Sequence, residues 1–312
     1  MKILVLGGTQ FVSRYFVKRF VEAGNEVITL NRGTKKGVHG DSIKELYSDR
    51  HNKEELSKVL WEIDADYIID VSGYTVSDVE NVYEAVKNKN IKGYIFISSS
   101  AVYKESEVLP MKENYPTGEN RFWGNYGIDK LEAENFLIEK YKQRGFPVVI
   151  LRPPYIYGEG NNVYREAFIF DRLLEGKDIV VPNKGKILVQ FIHIEDLYKT
   201  IESLMIKEVK GKIYNVGNYG GITFRGWIEK CMTVFGKQTK MVEMDYVKYN
   251  YNERDFFPFY DYQYYLDVRE IMEIYTPQIS LEEGLKRALV WYLENEDKVM
   301  KRTQYAENSE KI

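Results

Sequence analysis

The sequence predicts an α/β protein with a doubly wound parallel sheet and a smaller domain at its C-terminal end. Short aliphatic runs alternate with amphipathic, helix-length segments over the first half of the chain. This alternation is typical of parallel strands that are covered by helices. The first run ends at Gly7-Gly8, and a helical segment and a second apolar run follow within about thirty residues, the length of a βαβ unit. The alternation stops after Pro153-Pro154, which predicts the second domain.

The elements of the first half follow from residue type and spacing. The predicted strands are β-branched and aliphatic runs, and the predicted helices carry apolar residues three and four positions apart. Gly24 follows the first helix in the position of a C-terminal cap. The predicted strands are Lys2–Leu6, Glu26–Leu30, Tyr67–Val71, Tyr94–Ser98 and Val148–Leu151, and the predicted helices are Phe11–Ala23, Val76–Lys89 and Tyr126–Arg144.

The second half has a less regular pattern. We predict helices at Tyr164–Glu175, Glu195–Met205, Phe224–Phe235 and Ser280–Glu294, a hairpin over Ile179–Ile192, and strands at Ile213–Val216 and near Lys240–Glu243. The predicted division places residues 1–160 in a dinucleotide-binding domain to which 190–218 return. Residues 161–189 and 219–300 then form a substrate-binding cap, and the polar tail 301–312 is expected to fray.

Composition narrows the function classes. A net charge of −3 lacks the clustered basic excess of a nucleic-acid surface, so a nucleic-acid partner is not expected. Cys231 is the single cysteine and there are three histidines, which excludes an internal disulfide and gives no zinc-ligand spacing, so no metal is expected. No apolar run has the length of a membrane span or a signal peptide, and we expect a cytoplasmic protein without membrane contact.

Many of the 26 tyrosines cluster between Tyr246 and Tyr265, where they form either an aromatic packing surface or a wall facing the substrate or a dimer partner.

The turn after the first predicted strand has the features of a Rossmann-type dinucleotide site. A pyrophosphate requires a tight turn, a closely approaching backbone and a helix N-terminus with free N–H groups. The glycine pair and the helix that begins near Gln10 meet these needs, although Gln10 and Ser13 stand where the usual pattern has glycine. The predicted cofactor contacts are Gly7, Thr9, Gln10, Phe11 and Val12.

Two further segments are predicted to contact the adenosine half of the cofactor. The second strand ends at Asn31-Arg32, without the carboxylate that binds the ribose hydroxyls of NAD. Arg32 can instead pair with a 2′-phosphate through its planar fork, unless it is merely a solvated loop residue. Asp49-Arg50 follows a weakly marked third strand, and Asp49 is placed to accept from the adenine amino group. Both NAD and NADP stay open, and the missing carboxylate favours NADP.

The chemistry is predicted at the start of the long helix. Tyr126 and Lys130 lie four positions apart, so a phenol and an ammonium share one helix face. A nearby ammonium lowers the pKa of a phenol, and the phenol can then exchange a proton with a substrate hydroxyl or carbonyl near neutral pH. Ser99 follows the fourth predicted strand, at the sheet edge where this phenol should lie, and its hydroxyl can hold the substrate oxygen.

Six segments in a fixed order carry a resemblance to a known family. They are LGGTQFVSR (6–14), FISSSAVY (96–103), YGIDK (126–130), LRPPYIYGEG (151–160), QFIHIEDL (190–197) and YNVGN (214–218). Together they resemble the extended short-chain dehydrogenases, the NAD-dependent epimerase/dehydratase family. The resemblance implies that Ser99, Tyr126 and Lys130 are the catalytic set. It also implies that Val71, Ser72, Gly73, Pro153 and Pro154 line the cofactor.

The sequence also departs from that family. Ser13 replaces the third glycine, and Tyr155 replaces a common asparagine. Val189 stands where an arginine usually grips the diphosphate of a nucleotide sugar. These changes resemble an atypical branch, which includes chloroplast stem-loop-binding proteins and reductases.

Five residues are predicted to face the substrate: Tyr74, Ser100, Tyr155, Arg165 and Gln190. Tyr74 either faces the substrate or covers the nicotinamide, and Arg165 either replaces the missing phosphate clamp or is a solvated residue at a helix start. Ser100-Ala101 lies where a dehydratase usually has an acidic residue, which disfavours dehydration. The helices Val76–Lys89 and Tyr126–Arg144 resemble the pair that joins two subunits in this family, which implies a homodimer.

We therefore predict an NAD(P)-dependent epimerase or reductase of a sugar or nucleotide sugar, with proton transfer coupled to hydride transfer. The alternative is a non-catalytic nucleic-acid-binding or regulatory protein on the same fold.

Overall fold

The computed structural model describes residues 1–34, 43–248 and 250–311. The strands, in chain order, are β1 (Lys2–Leu6), β2 (Glu26–Asn31), β3 (Lys44–Tyr47), β4 (Tyr67–Asp70), β5 (Gly93–Ile97), β6 (Val148–Arg152), β7 (Tyr155–Tyr157), β8 (Ile179–Pro182), β9 (Leu188–Val189), β10 (Phe191–His193), β11 (Lys212–Asn215), β12 (Ile222–Thr223) and β13 (Met241–Met244). The helices are α1 (Phe11–Glu22), α2 (Lys53–Trp61), α3 (Val76–Val86), α4 (Asn125–Arg144), α5 (Glu166–Glu175), α6 (Ile194–Ile206), α7 (Phe224–Phe235), α8 (Arg269–Met272), α9 (Leu281–Glu294) and α10 (Thr303–Ser309).

The first half of the chain builds a seven-stranded parallel sheet, completed by β11 at one edge. Across the sheet the strands stand in the order β3-β2-β1-β4-β5-β6-β11. The chain runs outward in both directions from β1 and β4, which creates a crevice between them at the carboxyl ends of the strands. The predicted α/β fold with a doubly wound sheet is confirmed, and the predicted elements of this half agree with the structure to within three residues.

Both faces of the sheet are covered by helices, which explains why its central strands β1, β4, β5 and β6 are largely apolar, whereas the edge strand β3 is not. Ile3 and Val5 of β1 face a core that includes Phe16 of α1 and Leu197 of α6. Leu4 and its alternate neighbours face a second core, shared with α2, α3 and α4. Successive side chains of a strand point to opposite faces, so a strand buried on both sides needs an uninterrupted apolar run.

The second half departs from its prediction at the hairpin. Ile179–Pro182 and Phe191–His193 do not pair with each other: β8 pairs in parallel with β13, and β10 pairs in parallel with β7. Between them, β9 pairs antiparallel with β12. The hairpin prediction is wrong because short apolar runs indicate strands without identifying their partners, and here the partners are distant in sequence.

The tail is also more ordered than expected. Residues of α10 pack onto the body of the protein, and Tyr305 is only 2% exposed. Its ring stacks on Tyr164 with ring centroids 6.3 Å apart and meets the edge of Phe168. The Asn308 amide donates to the carbonyl of Asp255. The expectation of a frayed tail is therefore wrong for the described residues, because one aromatic side chain anchors an otherwise polar segment.

A buried polar network ties α4 to the sheet and to the second half. Arg152, at the end of β6, donates to both carboxylate oxygens of Glu134 and to the Tyr103 hydroxyl. The Ser98 hydroxyl donates to the same carboxylate at 2.5 Å. Tyr103 in turn donates to Asn215, whose amide reaches the carbonyl of Asp267. Buried charges of this kind are tolerated because each is paired and hydrogen-bonded.

None of the helices in the described ranges has the length and apolar character that a membrane span requires.

Candidate active site

A cavity of about 690 Å³ lies at the carboxyl ends of the central strands. Its lining combines the turn after β1, the end of β2, the segments after β4, β5 and β6, and the start of α4. This is the crevice where doubly wound sheets bind ligands. In the chain outside the masked positions, no cluster of side chains suited to a metal ion is found.

The turn after β1 is shaped by its glycines. Gly7 has φ +122°, and a Cβ there would come within 3.1 Å of Ser13 Cβ. Gly8 has φ +106°, and its Cβ would meet the Thr29 side chain at 2.8 Å. Any other residue would therefore be strained and crowded at both positions. Ser13 fits without the third glycine because its hydroxyl turns back to donate to the Gln10 carbonyl.

The helix that follows offers a site for negative charge. No side chain caps the N-terminus of α1, where Gln10 holds an extended conformation. The first N–H groups of a helix have no intrahelical partner, and they carry the positive end of the helix dipole. Thr9, Gln10, Phe11 and Val12 all line the cavity beside this terminus, as does Gly7.

The end of β2 places a polar side chain in the cavity wall. The side-chain Oδ1 of Asn31 accepts from the Gly33 N–H at 2.8 Å. Its buried side-chain nitrogen, Nδ2, has no partner among the described residues. Arg32 lies beside it at the exposed mouth of the cavity. Thr34 and Ser48 also line this end, and the sequence analysis did not identify them.

Asp49 and Arg50 differ in their relation to the cavity, and the prediction that Arg50 contacts the cofactor stays a prediction. Asp49 does not line the cavity, because its carboxylate accepts from the backbone and ring of His51. Arg50 does line it, but its guanidinium is engaged with Asp70, with Ser72 and with the carbonyl of Asp78. We therefore withdraw Asp49 as an adenine acceptor and regard Arg50 as a residue that shapes the wall.

The segments after β4 and β6 lie against the same cavity. Val71, Ser72, Pro153 and Pro154 line it. Gly73 does not, although its carbonyl accepts from the Lys130 ammonium. Gly73 is required for a different reason, since a Cβ there would come within 2.8 Å of a buried Asp70 oxygen.

The predicted catalytic residues Ser99, Tyr126 and Lys130 all line the cavity, where 37% of Tyr126 remains exposed. Desolvation raises the pKa of the Tyr126 phenol above its ordinary value. The neighbouring Ser99 hydroxyl lowers this pKa as a hydrogen-bonding group, but it only partly opposes the shift. The phenol is therefore protonated at neutral pH.

Lys130 lies below this pair. Its ammonium donates to the carbonyl oxygens of Gly73 and Ile97, at 2.5 and 2.7 Å, and lies between the Tyr74 and Phe96 rings. Burial lowers the pKa of Lys130 to about 8. The expectation that this ammonium lowers the phenol's pKa is wrong for this structure, because the ammonium is held by two carbonyls and the Tyr126 pKa is raised.

A glycine that the sequence analysis missed brings Tyr126 to Ser99. A Cβ on Gly127 would come within 2.3 Å of the Ala101 carbonyl oxygen. Ala101 belongs to the 3-10 turn Ser100–Val102 that directly follows Ser99. Because Gly127 has no side chain, the first turn of α4 can lie directly on this turn. An Ala or Gly after a helix-start tyrosine carries no distinctive sequence signal.

The comparisons with known proteins agree with this geometry. The sequence profile described as "NAD dependent epimerase/dehydratase family" matches residues 3–217. The chain belongs to this family. It is an enzyme of the extended short-chain dehydrogenase type, as are the epimerases and dehydratases that it resembles. The family resemblance seen in the sequence is thereby confirmed.

Individual members of the family show how far the similarity reaches. The chain is 30% identical over 306 residues to the chloroplast stem-loop binding protein of 41 kDa b of Arabidopsis thaliana. The aligned region covers 91% of this chain and 77% of the relative. The UDP-glucose 4-epimerase of Thermotoga maritima, solved with UDP-glucose, has a TM-score of 0.80 at 19% identity, with 94% and 99% of the two chains covered. The dTDP-glucose 4,6-dehydratase of Bacillus anthracis, solved with NAD, has a TM-score of 0.80 at 21% identity, with 95% and 98% covered.

The remaining part of the cavity is aromatic. Tyr74, Ser100, Tyr155 and Arg165 line it, as the sequence predicted. The other lining residues there, Trp123, Ile156, Val163 and Tyr264, were not predicted individually. Tyr264 comes from the tyrosine-rich stretch, whose neighbours Tyr260 and Tyr262 pack on Trp123 and Phe122. The stretch therefore contributes both an aromatic packing surface and one wall residue.

Gln190 does not reach the cavity. It is fully buried, and its amide donates to the carbonyls of Asn218 and Leu266 while its oxygen accepts from the Leu266 N–H. We withdraw it as a substrate residue, because all of this bonding holds the backbone of the second half in place.

Proposed function

We propose that this chain is an NAD(P)-dependent epimerase or reductase that acts on a sugar or nucleotide sugar through Ser99, Tyr126 and Lys130. The observation that carries this proposal is that a glycine turn at a helix N-terminus shares the wall of one cavity with Ser99, Tyr126 and Lys130. The family's description and the relatives named above support both the cofactor and the substrate class.

The residues present fit a dinucleotide. The Gly7-Gly8 turn has a backbone conformation that other residues would adopt only with strain, and the N-terminus of α1 that follows provides N–H donors for a pyrophosphate. The unpartnered Asn31 amide can donate to a ribose hydroxyl or to a 2′-phosphate. When bound, the nicotinamide would take up or return a hydride.

The chain's own groups would handle the proton and the substrate oxygen. The protonated Tyr126 phenol is the form that can donate to a carbonyl oxygen as that carbon is reduced, and in the reverse direction the phenolate takes the hydroxyl proton. Ser99 holds the same oxygen by a hydrogen bond. Lys130, one helical turn away, donates to the carbonyl oxygens of Gly73 and Ile97 and so positions the ends of β4 and β5 around the phenol.

We further propose NADP over NAD. Asn31 and Arg32 are donors at the end of β2, where a carboxylate would repel a 2′-phosphate. Denaturing the purified protein and identifying any released nucleotide distinguishes the two cofactors and also distinguishes an epimerase from a reductase. Bound NAD would support an epimerase, which regenerates its cofactor, and an empty site that binds NADPH would support a reductase.

The proposal is tested by Tyr126→Phe. We expect kcat to fall by about 10²- to 10⁴-fold, the usual contribution of a positioned acid or base, while the Kd of the cofactor changes by less than about twofold. Tyr219→Phe, a substitution of an exposed tyrosine outside the cavity, is the matched control. Unchanged turnover in Tyr126→Phe would refute the mechanism.

RNA binding is a second candidate function, favoured by the name of the stem-loop binding relative. The net charge of −3 argues against it. A salt-dependent affinity for a stem-loop RNA that Tyr126→Phe leaves unaltered would support it.

The homodimer implied by the family resemblance is also a proposal. The helices α3 and α4 pack against each other, and they would form the dimer interface. Light scattering of the purified protein, which measures its molar mass in solution, tests the homodimer.

A further inference from the structure

The Arg165 guanidinium lines the substrate half of the cavity without a polar partner. Among the residues that the structure describes, it makes no ion pair and no side-chain hydrogen bond. Its contact is with an aromatic ring, since its Cζ lies 4.7 Å from the centroid of Tyr155. The side chain is half-buried.

This condition distinguishes Arg165 from the other arginines, all of which stand at described positions. Each other arginine that is buried or half-buried donates to an oxygen atom of the protein: Arg19, Arg50, Arg152, Arg172, Arg225, Arg254 and Arg287. A guanidinium that loses part of its hydration without gaining an acceptor destabilises the protein. A ligand that supplies the acceptor would remove this cost.

The surroundings of Arg165 give its guanidinium no acceptor among the described residues, because the adjacent Glu166 carboxyl, which acts on it electrostatically, accepts from Gly158 and Asn161 instead. The neighbouring wall is formed by hydroxyl, aromatic and aliphatic side chains: Ser99, Ser100, Trp123, Tyr126, Tyr155, Ile156, Val163 and Tyr264. The acidic residue of the lining, Asp78, is on the cofactor side, where it accepts from the N–H groups of Tyr74 and Thr75. Arg165 is therefore the cation of this wall that has no oxygen partner among the described residues, whereas Lys130 donates to two carbonyl oxygens.

That charge is close to the reacting centre. Arg165 acts electrostatically on the phenols of both Tyr126 and Tyr155, lowering the pKa of each against the stronger effect of burial. Trp123 lies between these two rings, at 6.3 and 6.2 Å from their centroids. The position of the family's diphosphate clamp offers no alternative, because Val189 is fully buried and paired with Ile222.

We propose that Arg165 binds an oxyanion carried by the sugar itself, beside the carbon that reacts, so that the substrate is an acidic or phosphorylated sugar. This inference rests on the proposed function and narrows its substrate class. The planar fork of an arginine matches a carboxylate or a phosphate by two parallel hydrogen bonds, and both groups share this chemistry.

The test uses calorimetric binding to the purified 312-residue chain saturated with its nicotinamide cofactor. Two probe pairs differ in charge on the sugar: UDP-glucuronate against UDP-glucose for a carboxylate, and glucose 6-phosphate against glucose for a phosphate. We expect the charged member of one pair to bind at least about tenfold more tightly, which corresponds to 1.4 kcal/mol. Arg165→Gln should bring that ratio close to one, and Arg165→Lys, which keeps charge without the fork, should retain part of it.

Arg144→Gln is the matched control, because Arg144 is exposed at the far end of α4 and should leave the ratio unchanged. Equal affinities within both pairs, or an equal loss for UDP-glucuronate and UDP-glucose in Arg165→Gln, would overturn the inference; the second result would assign Arg165 to the diphosphate. A charge preference that persists while Tyr126→Phe retains full turnover would reject the proposed function and leave the anion site standing.

Discussion

At the scale of single residues, desolvation sets the direction of the pKa shifts of Tyr126 and Lys130, the proposed acid/base and its partner. Burial favours the neutral form of each group, so it lowers the pKa of the Lys130 ammonium and raises the pKa of the Tyr126 phenol, although the two residues are only four positions apart. Lys130 keeps its proton through hydrogen bonds to two carbonyls and the more distant charge of Asp70. At neutral pH the Tyr126 phenol is therefore a proton donor, and the Lys130 ammonium below it loses its proton at about pH 8.

Lys130→Met should change how stability depends on pH. The pKa of Lys130 is about 8 in the folded protein against 10.5 ordinarily, so between these values the unfolded chain binds the additional proton. The free energy of unfolding then rises as the pH increases from about 8 to 10.5. Below about pH 8 the folded protein bears the full cost of burying the charged ammonium. From about pH 7.5 to about pH 9.5, the wild type should gain about 2 kcal/mol of unfolding free energy relative to the variant.

Denaturant unfolding at the two pH values measures this difference, with the exposed Lys142→Met as the control on the same helix. If the wild type and Lys130→Met respond to pH in parallel, Lys130 does not have the lowered pKa that its burial implies.

At the scale of elements, the geometry of the site depends on how closely α4 approaches the turn after β5. The helix begins at Asn125, and its second residue carries the phenol. Gly127 then lies against the Ala101 carbonyl, and Lys130 passes beneath toward Ile97. Glu134, two turns from Gly127, bonds Ser98 and Arg152 and so fixes the same helix to the ends of β5 and β6. One helix thus positions the acid/base, its cation and the strand end that bears Ser99.

Gly127→Ala should displace this helix. The added methyl group would meet a backbone carbonyl at 2.3 Å, and backbone cannot rotate away as a side chain can. Overpacking of this kind costs about 1–3 kcal/mol of stability, and a shift of about 1 Å in a catalytic group can cost about 10²-fold in rate.

Thermal unfolding and steady-state kinetics check both effects, and Glu132→Ala, at an exposed position of α4, provides the comparison. Wild-type kinetics in Gly127→Ala would show that the site tolerates a longer distance between α4 and this turn.

At the scale of the whole molecule, contacts between distant segments complete the second half of the chain. α10 closes over α5 through Tyr305, Tyr164 and Phe168. The start of α5 bears Arg165, which faces the cavity. The last helix therefore supports, from behind, the element that presents the proposed anion-binding residue.

Tyr305→Ala should destabilise the protein by about 3 kcal/mol, since it leaves a cavity where an almost fully buried ring was packed. Gln304→Ala, on the exposed side of the same helix, should change stability by less than about 0.5 kcal/mol. Denaturant midpoints of the two variants measure the contrast. Equal midpoints would mean that the tail contributes nothing to the folded state.

The sequence by itself determined the parts of this protein that depend on local order along the chain. Glycines between a strand and a helix, apolar runs buried on two faces, and a Tyr-x-x-x-Lys pair at a helix start all encode their structure within a few residues. The parallel sheet, the glycine turn and the meeting of Ser99 with Tyr126 could therefore be predicted.

The tertiary structure alone decided what depends on partners far apart in sequence. The partners of β8 and β10, the docking of Tyr305, and the engagement of Arg50 and Gln190 with other parts of the protein could not be predicted from their neighbours in the chain. The protonation of Tyr126 and Lys130 belongs to the same class, because desolvation is set by every segment that surrounds a group. Local sequence specifies which groups are present, and packing specifies the environment in which each of them acts.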